Sequence, residues 1–392
     1  MTKPSRDSPT PGGGAARRET FLSFQPPAVG EEEIEAVAQT LRSGWLTSGP
    51  SAAELERRFA DYAGSKHALA VASGTAALHL SLLAAGIGPG DEVITSPITW
   101  PATANVIVHA GARPVFCDVR ESDLNLDPEL LPAVATERTR AVVPVDLAGQ
   151  PCDYDPILAL ARERGWLVVE DAAHAVESEY RGRKVGTIAD ATCFSLYATK
   201  NVAAGEGGMI ATDRDDLAEE VRELRLMRRG HGSLYDVRRA GFKANLADVN
   251  AAIALCQLAK VAAHREIRLR HVAAYDDAVA GLPGIEPLAR DPRDVHALHL
   301  YVVRIEPELA GATRDAYQQA LTEENVGTSI HFLPVHRLTY YRERFPDQPP
   351  LPVAERAGAQ VLSLPLSPAH TDEDIDDAID ALRRVHARFT AS

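Results

Sequence analysis

The apolar residues of this chain fall into short runs separated by longer stretches with one apolar face, and the alternation is regular from residue 31 to residue 170. A run such as His67-Ala68-Leu69-Ala70-Val71 is too short for a buried helix, and its aliphatic content suits a fully covered strand. On this ground strands are expected over 67–71, 92–95, 114–117, 141–145 and 166–169. Helical spacing between them predicts helices over 75–85, 102–110 and 157–164. Ahead of the first strand, 31–43 reads as a helix with an acidic opening turn, which the helix dipole favours, and a second helix starts near residue 51. Repetition of strand, helix and strand predicts an α/β fold with a mostly parallel sheet covered on both faces.

The rhythm changes after Glu170-Asp171. Strands over 191–196 and 208–212 are followed by a long helical stretch over 246–279. A strand over 298–305, a helix over 314–324, a strand over 328–332 and a helix over 372–388 then describe a smaller α+β domain. The expected division is a flexible tail over 1–20, a large domain over 21–270 and a small C-terminal domain over 271–392.

Composition narrows the classes. The chain has 392 residues, 45% hydrophobic and 24% charged, which is ample for packed cores and excludes disorder over most of its length. A formal net charge of -14 argues against a nucleic-acid coat, while one local basic pocket remains able to hold a small anion. No stretch approaches the roughly 18 apolar residues of a membrane span. None of Cys117, Cys152, Cys193 and Cys256 stands in Cys-x-x-Cys spacing, and no His-Glu-x-x-His occurs, so free thiols and no protein-held metal are expected. Arg17-Arg18-Glu19-Thr20-Phe21-Leu22 resembles a twin-arginine export signal but is one residue off, and Ser23-Phe24-Gln25-Pro26-Pro27 replaces an apolar segment. A cytoplasmic protein without a membrane or nucleic-acid partner is the expectation.

Four features carry chemistry. Lys200, one of only six lysines, follows the apolar strand Thr192-Cys193-Phe194-Ser195-Leu196 and precedes Gly205-Glu206-Gly207-Gly208. A lysine just past a buried strand is placed to lose its proton and attack a carbonyl. The apolar strand at Trp166-Leu167-Val168-Val169 ends in Glu170-Asp171, at the edge where parallel sheets bind ligands. Ser73-Gly74-Thr75-Ala76, between a strand and a helix, offers backbone N–H groups to an anion. Trp100 lies on a loop at the same edge, where a ring could stack on a planar group. Taken singly, each has an ordinary explanation: a snorkelling surface lysine, an acidic helix cap, an N-cap and a packing tryptophan. Together they supply an amine for a carbonyl, a carboxylate for a ring nitrogen, a phosphate cradle and a stacking surface. That set matches pyridoxal 5'-phosphate.

The motifs Ser73-Gly74-Thr75-Ala76-Ala77-Leu78-His79, Gly90-Asp91-Glu92-Val93-Ile94, Glu170-Asp171-Ala172-Ala173-His174-Ala175, Phe194-Ser195-Leu196-Tyr197-Ala198-Thr199-Lys200-Asn201, Gly205-Glu206-Gly207-Gly208 and Gly241-Phe242-Lys243-Ala244-Asn245-Leu246 stand in order along the chain. In these it resembles the DegT/DnrJ/EryC1/StrS family of sugar-nucleotide aminotransferases over about residues 22–388. The resemblance implies a fold type I, pyridoxal-phosphate-dependent transferase with a large cofactor-binding domain. It implies that Lys200 bonds the cofactor's aldehyde and later moves a proton, that Asp171 pairs with the pyridinium nitrogen, and that His174 stands near the 3-hydroxyl. Gly74, Thr75 and Ser195 would hold the phosphate, and Trp100 would cover the ring. Asn245 would reach the neighbouring subunit's cofactor, giving a homodimer with shared active sites. Leu196, where Phe is usual, and Ala203-Ala204, in place of a hydroxylated pair, depart from the pattern.

The Ala-Thr-Lys-Asn and Gly-Glu-Gly-Gly wording resembles the members acting on 4-keto sugars. Amination at C4 of a nucleotide-linked 4-keto-6-deoxyhexose is therefore expected, with a 3-keto sugar or a UDP-4-keto-pentose as alternatives. An amino acid, glutamate by preference, would donate the nitrogen in a ping-pong scheme. Trp45, Thr47, Ser48, Lys243 and His331 are the candidates for substrate contact, and Arg228-Arg229-Gly230-His231 could meet a diphosphate or be a solvated helix end. A short-chain dehydrogenase would need Tyr and Lys four apart and a Gly-x-Gly-x-x-Gly turn. Here Tyr197 and Lys200 are three apart and no such turn follows an early strand. Dehydratase relatives carry histidine in place of the lysine, so Lys200 argues against that reading as well. Lys200 and Asp171 together argue against a non-catalytic member.

Overall fold

The computed structural model describes residues 18–391 apart from 228–236 and 238. The chain opens with α1 (Glu31–Ser43), α2 (Pro50–Ala63), β1 (His67–Val71), α3 (Gly74–Ala84), β2 (Glu92–Thr95), α4 (Ala102–His109) and β3 (Arg113–Phe116). It continues through α5 (Leu131–Val134), β4 (Thr139–Val143), α6 (Tyr154–Arg164), β5 (Leu167–Asp171), a small hairpin of β6 (Glu179–Tyr180) and β7 (Arg183–Lys184), β8 (Ala191–Ser195), β9 (Gly208–Thr212) and α7 (Asp215–Leu224). The remainder is α8 (Asp248–Val279), β10 (Ile285–Pro287), β11 (Tyr301–Ile305), α9 (Pro307–Ala310), α10 (Arg314–Glu323), α11 (Thr339–Arg344), α12 (Pro352–Gln360), β12 (Val361–Leu364) and α13 (Asp372–Thr390).

Seven strands form the main sheet in the order β1-β9-β8-β5-β4-β2-β3. The pairs β8·β5, β5·β4, β4·β2 and β2·β3 are parallel, and only β9 runs against its neighbours β1 and β8. This is the mostly parallel, doubly covered α/β sheet that the apolar runs predict. One apolar core, with Phe59, Ile157, Val168 and Phe194, covers one face, and another, with Leu69, Leu80, Val93 and Ile107, covers the other. The strand order places β5 at the centre, so its carboxyl end opens where parallel sheets form ligand crevices.

A second, antiparallel sheet, β10-β11-β12, packs with α10 and α13 around Tyr275, Val303, Tyr317 and Leu382. α8 passes position 270 without a break. Its Leu258 and Val261 lie in the core of the large sheet, and its Val272, Tyr275 and Val279 lie in that of the small one. Among the described residues, no helix is long and apolar enough to cross a membrane, and no group of acidic, histidine or cysteine residues could hold a metal ion.

Two expected strands are corrected. Residues 328–332 are not a strand: Ser329 makes one bridge to Ser363, and the chain then turns away. Its β-forming residues misled the reading, and Pro334, which has no N–H for a ladder, marks where pairing has ended. The strand expected over 298–305 begins only at Tyr301. Residues 297–300 are drawn off the sheet, because Ala297 and His299 donate their N–H groups to Gly149 and Ala148 carbonyls at 3.0 Å each. Both departures bring side chains toward the crevice beside Lys200.

Candidate active site

β8 delivers Lys200. The strand is buried along most of its length, and the chain leaves it through a loop pinned by Leu196 N–H to Gly207 O (2.9 Å), Ala204 N–H to Leu196 O (2.8 Å) and Lys200 N–H to Tyr197 O (2.8 Å). The amine is held inside the protein. Burial disfavours its charge and brings its pKa down to about 8, with the Asp171 carboxylate opposing the shift. Asp171 ends the neighbouring parallel strand β5. Its Oδ2 accepts from Thr103 Oγ1 at 2.7 Å and its Oδ1 from the Ala173 N–H at 3.2 Å. Burial raises its pKa, and these hydrogen bonds and Lys200 pull the other way. Lys200 and Asp171 both line one cavity of about 480 Å³.

At one side of that cavity, the chain passes from β1 into α3 through Ser73-Gly74-Thr75. Ser73 caps the helix, its Oγ accepting from the Ala76 N–H at 3.0 Å. The turn has no room for side chains. A Cβ on Gly74 would lie 2.9 Å from Ser195 Cβ, and one on Gly208 would lie 2.4 Å from Ser73 O. Both glycines let three backbone segments close in on the helix start, with Ser195 beside it. A helix N-terminus with adjacent hydroxyls suits an anion such as a phosphate. Trp100, about two-thirds exposed, and Phe332 stand at 6.3 Å between ring centroids on the cavity wall.

Three histidines complete the wall: His174, His299 and His331. His174 and His299 are 4.5 Å apart by ring centroids, and His174 Nδ1 accepts from the Ala148 N–H at 3.2 Å. Burial, with the Lys200 charge second, holds the first two well below the usual imidazole range and His331 at about 3, so all three are neutral near pH 7. His299 Nε2 lies 3.5 Å from Lys200 Nζ.

Of the residues singled out from sequence, Gly74, Thr75, Trp100, Asp171, His174, Ser195, Lys200 and His331 line this cavity. Trp45, Thr47, Ser48, Lys243 and Asn245 do not. They form a second, largely exposed cluster: Lys243 Nζ donates to Asn245 Oδ1 (2.5 Å), Asn245 Nδ2 to Ser48 Oγ (2.7 Å), and Trp45 Nε1 to Ser48 O (3.1 Å). The run Arg228-Arg229-Gly230-His231 lies outside the described residues. Thr103, Gln25, Tyr197 and His299, which sequence reasoning passed over, line the cavity. Thr103 had a signal, since it stands three residues after Trp100 in the first turn of a helix at the right edge. His299 had none, because its neighbours Leu298 and Leu300 make it read as a strand interior.

The donor set fits a phosphorylated pyridine aldehyde on grounds internal to the protein. The glycine-lined helix start suits a dianion, the buried acid suits a protonated ring nitrogen, and the amine of lowered pKa suits an aldehyde.

Comparison with known proteins agrees with this chemistry. The family model described as "DegT/DnrJ/EryC1/StrS aminotransferase family" matches residues 27–383. The spore coat polysaccharide biosynthesis protein SpsC of Bacillus subtilis (strain 168) is 47% identical over 382 residues, covering 94% of this chain and 98% of SpsC. The PLP-form of Spr1654 from Streptococcus pneumoniae superposes with a TM-score of 0.88 at 33% identity, covering 94% of this chain and 99% of that one. DesI, solved in the presence of its TDP-sugar product, superposes with a TM-score of 0.89 at 35% identity, covering 96% and 95%. A match of this extent, on a crevice of this composition, settles the assignment: the chain belongs to the DegT/DnrJ/EryC1/StrS aminotransferase family.

Proposed function

We propose that this enzyme, a pyridoxal-phosphate-dependent sugar aminotransferase, moves an amino group from an amino acid, glutamate by preference, to C4 of a nucleotide-linked 4-keto-6-deoxyhexose. One observation carries the reading: the Lys200 amine and the Asp171 carboxylate open onto a single cavity beside the start of α3. Bound there, pyridoxal phosphate supplies the electron sink that lets an amino group be exchanged. In this reading Gly74, Thr75 and Ser195 hold its phosphate, Asp171 holds the proton on its ring nitrogen, Trp100 covers its face and His174 lies near its 3-hydroxyl. Lys200 Nζ would hold the group at its aldehyde carbon and, when free, is the amine placed to carry a proton to and from the reacting carbon. A pKa near 8 leaves a useful share of Nζ uncharged at neutral pH. Donor and acceptor use the cavity in turn, which makes the kinetics ping-pong.

The C4 position rests on the Ala198-Thr199-Lys200-Asn201 and Gly205-Glu206-Gly207-Gly208 wording, and the SpsC and DesI likenesses favour a saccharide acceptor. Amination at C3, or of a UDP-4-keto-pentose, is the competing outcome. Asn245 and its exposed partners are assigned to a neighbouring subunit's site, which makes the working unit a homodimer. Two measurements test the proposal. The purified protein with pyridoxal phosphate should absorb near about 410–430 nm and bleach with borohydride or glutamate. A protein that stays colourless removes the reading. A panel of nucleotide keto sugars, with the position of the new amine found by NMR, decides between C4 and its competitors.

A further inference from the structure

Lys200 Nζ has one side-chain nitrogen beside it that the proposed function leaves unused: His299 Nε2, at 3.5 Å. What that nitrogen can do depends on which ring nitrogen of His299 carries the hydrogen, and the surrounding network decides it. Asn201 Nδ2 donates to Glu177 Oε2 at 2.6 Å and to Ala297 O at 2.9 Å. Both are acceptors only, so the Asn201 amide cannot be turned round without facing oxygen to oxygen. Its Oδ1 is therefore the atom 3.0 Å from His299 Nδ1, and an oxygen there requires Nδ1–H. Glu177 is itself fixed by a buried hydrogen-bonded ion pair with Arg268 of α8, both side chains being almost wholly enclosed. Gln25 Nε2 donates one of its two hydrogens to His299 O at 2.9 Å; its contact with the same Nδ1, at 3.4 Å, is longer than the 3.0 Å contact of Asn201 Oδ1, so the shorter bond sets the tautomer.

We infer that His299, locked by the chain Arg268–Glu177–Asn201 in the Nδ1–H form, accepts a hydrogen bond from Lys200 Nζ through Nε2 and so orients the amine for its work on the cofactor. The inference rests on the aminotransferase reading for its purpose and on the network alone for its geometry. An acceptor suits both charge states of the amine. A charged Nζ spends one N–H on Nε2, and a neutral Nζ does the same while its lone pair is aimed elsewhere. A ring with hydrogen on Nε2, or a doubly protonated one, would confront the ammonium with a donor. His299 is buried among the positive Lys200 and Arg268 and the rings of His174 and His331, so it stays uncharged. The other charged group facing Lys200 is Asp171, from β5. His299 touches the reacting amine, whereas Asn201, Glu177 and Arg268 are positioning residues that act through it.

The test uses full-length protein freed of cofactor. Nitrogen-15 imidazole NMR should find His299 as the Nδ1–H tautomer, and a dominant Nε2–H form overturns the inference. Separately, acetylation of Lys200 by acetic anhydride, followed by peptide mass spectrometry from about pH 6 to 10, gives the midpoint at which the amine becomes reactive. The wild-type midpoint is expected near 8. His299→Phe should lower it by about one pH unit, the size of one hydrogen bond to a charged group. His299→Gln, which returns an acceptor oxygen, should recover most of that shift. An unmoved midpoint in His299→Phe, or a Gln variant no different from Phe, refutes the role. If a variant does not fold, the tautomer measurement on the wild-type chain still decides. Absence of colour with pyridoxal phosphate in the wild-type protein would instead defeat the aminotransferase reading and leave the tautomer result standing.

Discussion

The cavity beside Lys200 and the exposed cluster around Asn245 contain the same kinds of side chain under different conditions. In the cavity, Lys200 is half-buried and its charge is disfavoured, and three histidines are held neutral. In the cluster, Lys243 lies at the surface and its ammonium donates to Asn245 Oδ1. Burial is the largest cause of the lowered Lys200 pKa, and it is what the surface position of Lys243 lacks. The cavity is assembled within one chain, whereas the cluster would gain its role only from the second subunit of the homodimer proposed above.

The sharpest way to break this contrast is at Lys200. Lys200→Ala should lower turnover by about four orders of magnitude, with some affinity for pyridoxal phosphate kept by the remaining contacts, as equilibrium dialysis would measure. Asp171→Asn, which keeps shape and removes charge, should cost roughly two orders of magnitude in kcat, read by steady-state assay with the sugar substrate. The pH dependence comes next. Because the neutral amine reacts and its pKa is lowered to about 8, the rate of borohydride-trapped cofactor uptake should fall roughly tenfold per pH unit below that value and level off above it. The smallest effect belongs to the exposed cluster. Asn245→Ala should weaken cofactor affinity by about tenfold in the dimer and change melting by less than about 1 kcal/mol. A cluster substitution as damaging as Asp171→Asn would erase the distinction drawn between the two regions.

The strands of the large sheet are legible because each is buried on both faces and so appears as an unbroken apolar run. β1 and β2 begin and end where the pattern puts them, at His67–Val71 and Glu92–Thr95. Lys200 and Asp171 are legible for the same reason, since each follows such a run at its open end. The small sheet is harder. β10 is three residues including Pro287, and β12 follows α12 without a turn signal between Gln360 and Val361. α7 was available and unread: Leu217, Ala218, Val221 and Leu224 recur at helical spacing and are all buried. His299 could not be read. Its partner Asn201 is 98 positions away, and their meeting depends on residues 297–300 leaving the sheet to bond the loop at Ala148 and Gly149.

The unbroken course of α8 has a consequence for how the crevice discriminates among sugars. At 32 residues it is a rod of about 48 Å, and it is clamped along its length. Asp248 accepts three N–H groups at the start of α2, Arg268 grips Glu177, and His271 meets Asp372 at the head of α13. Such a splint fixes the spacing between the lysine-bearing and histidine-bearing walls. The expectation is therefore that a bulky guest is fitted by the exposed rings at the mouth, Trp100 and Tyr197 foremost, rather than by closure of two lobes.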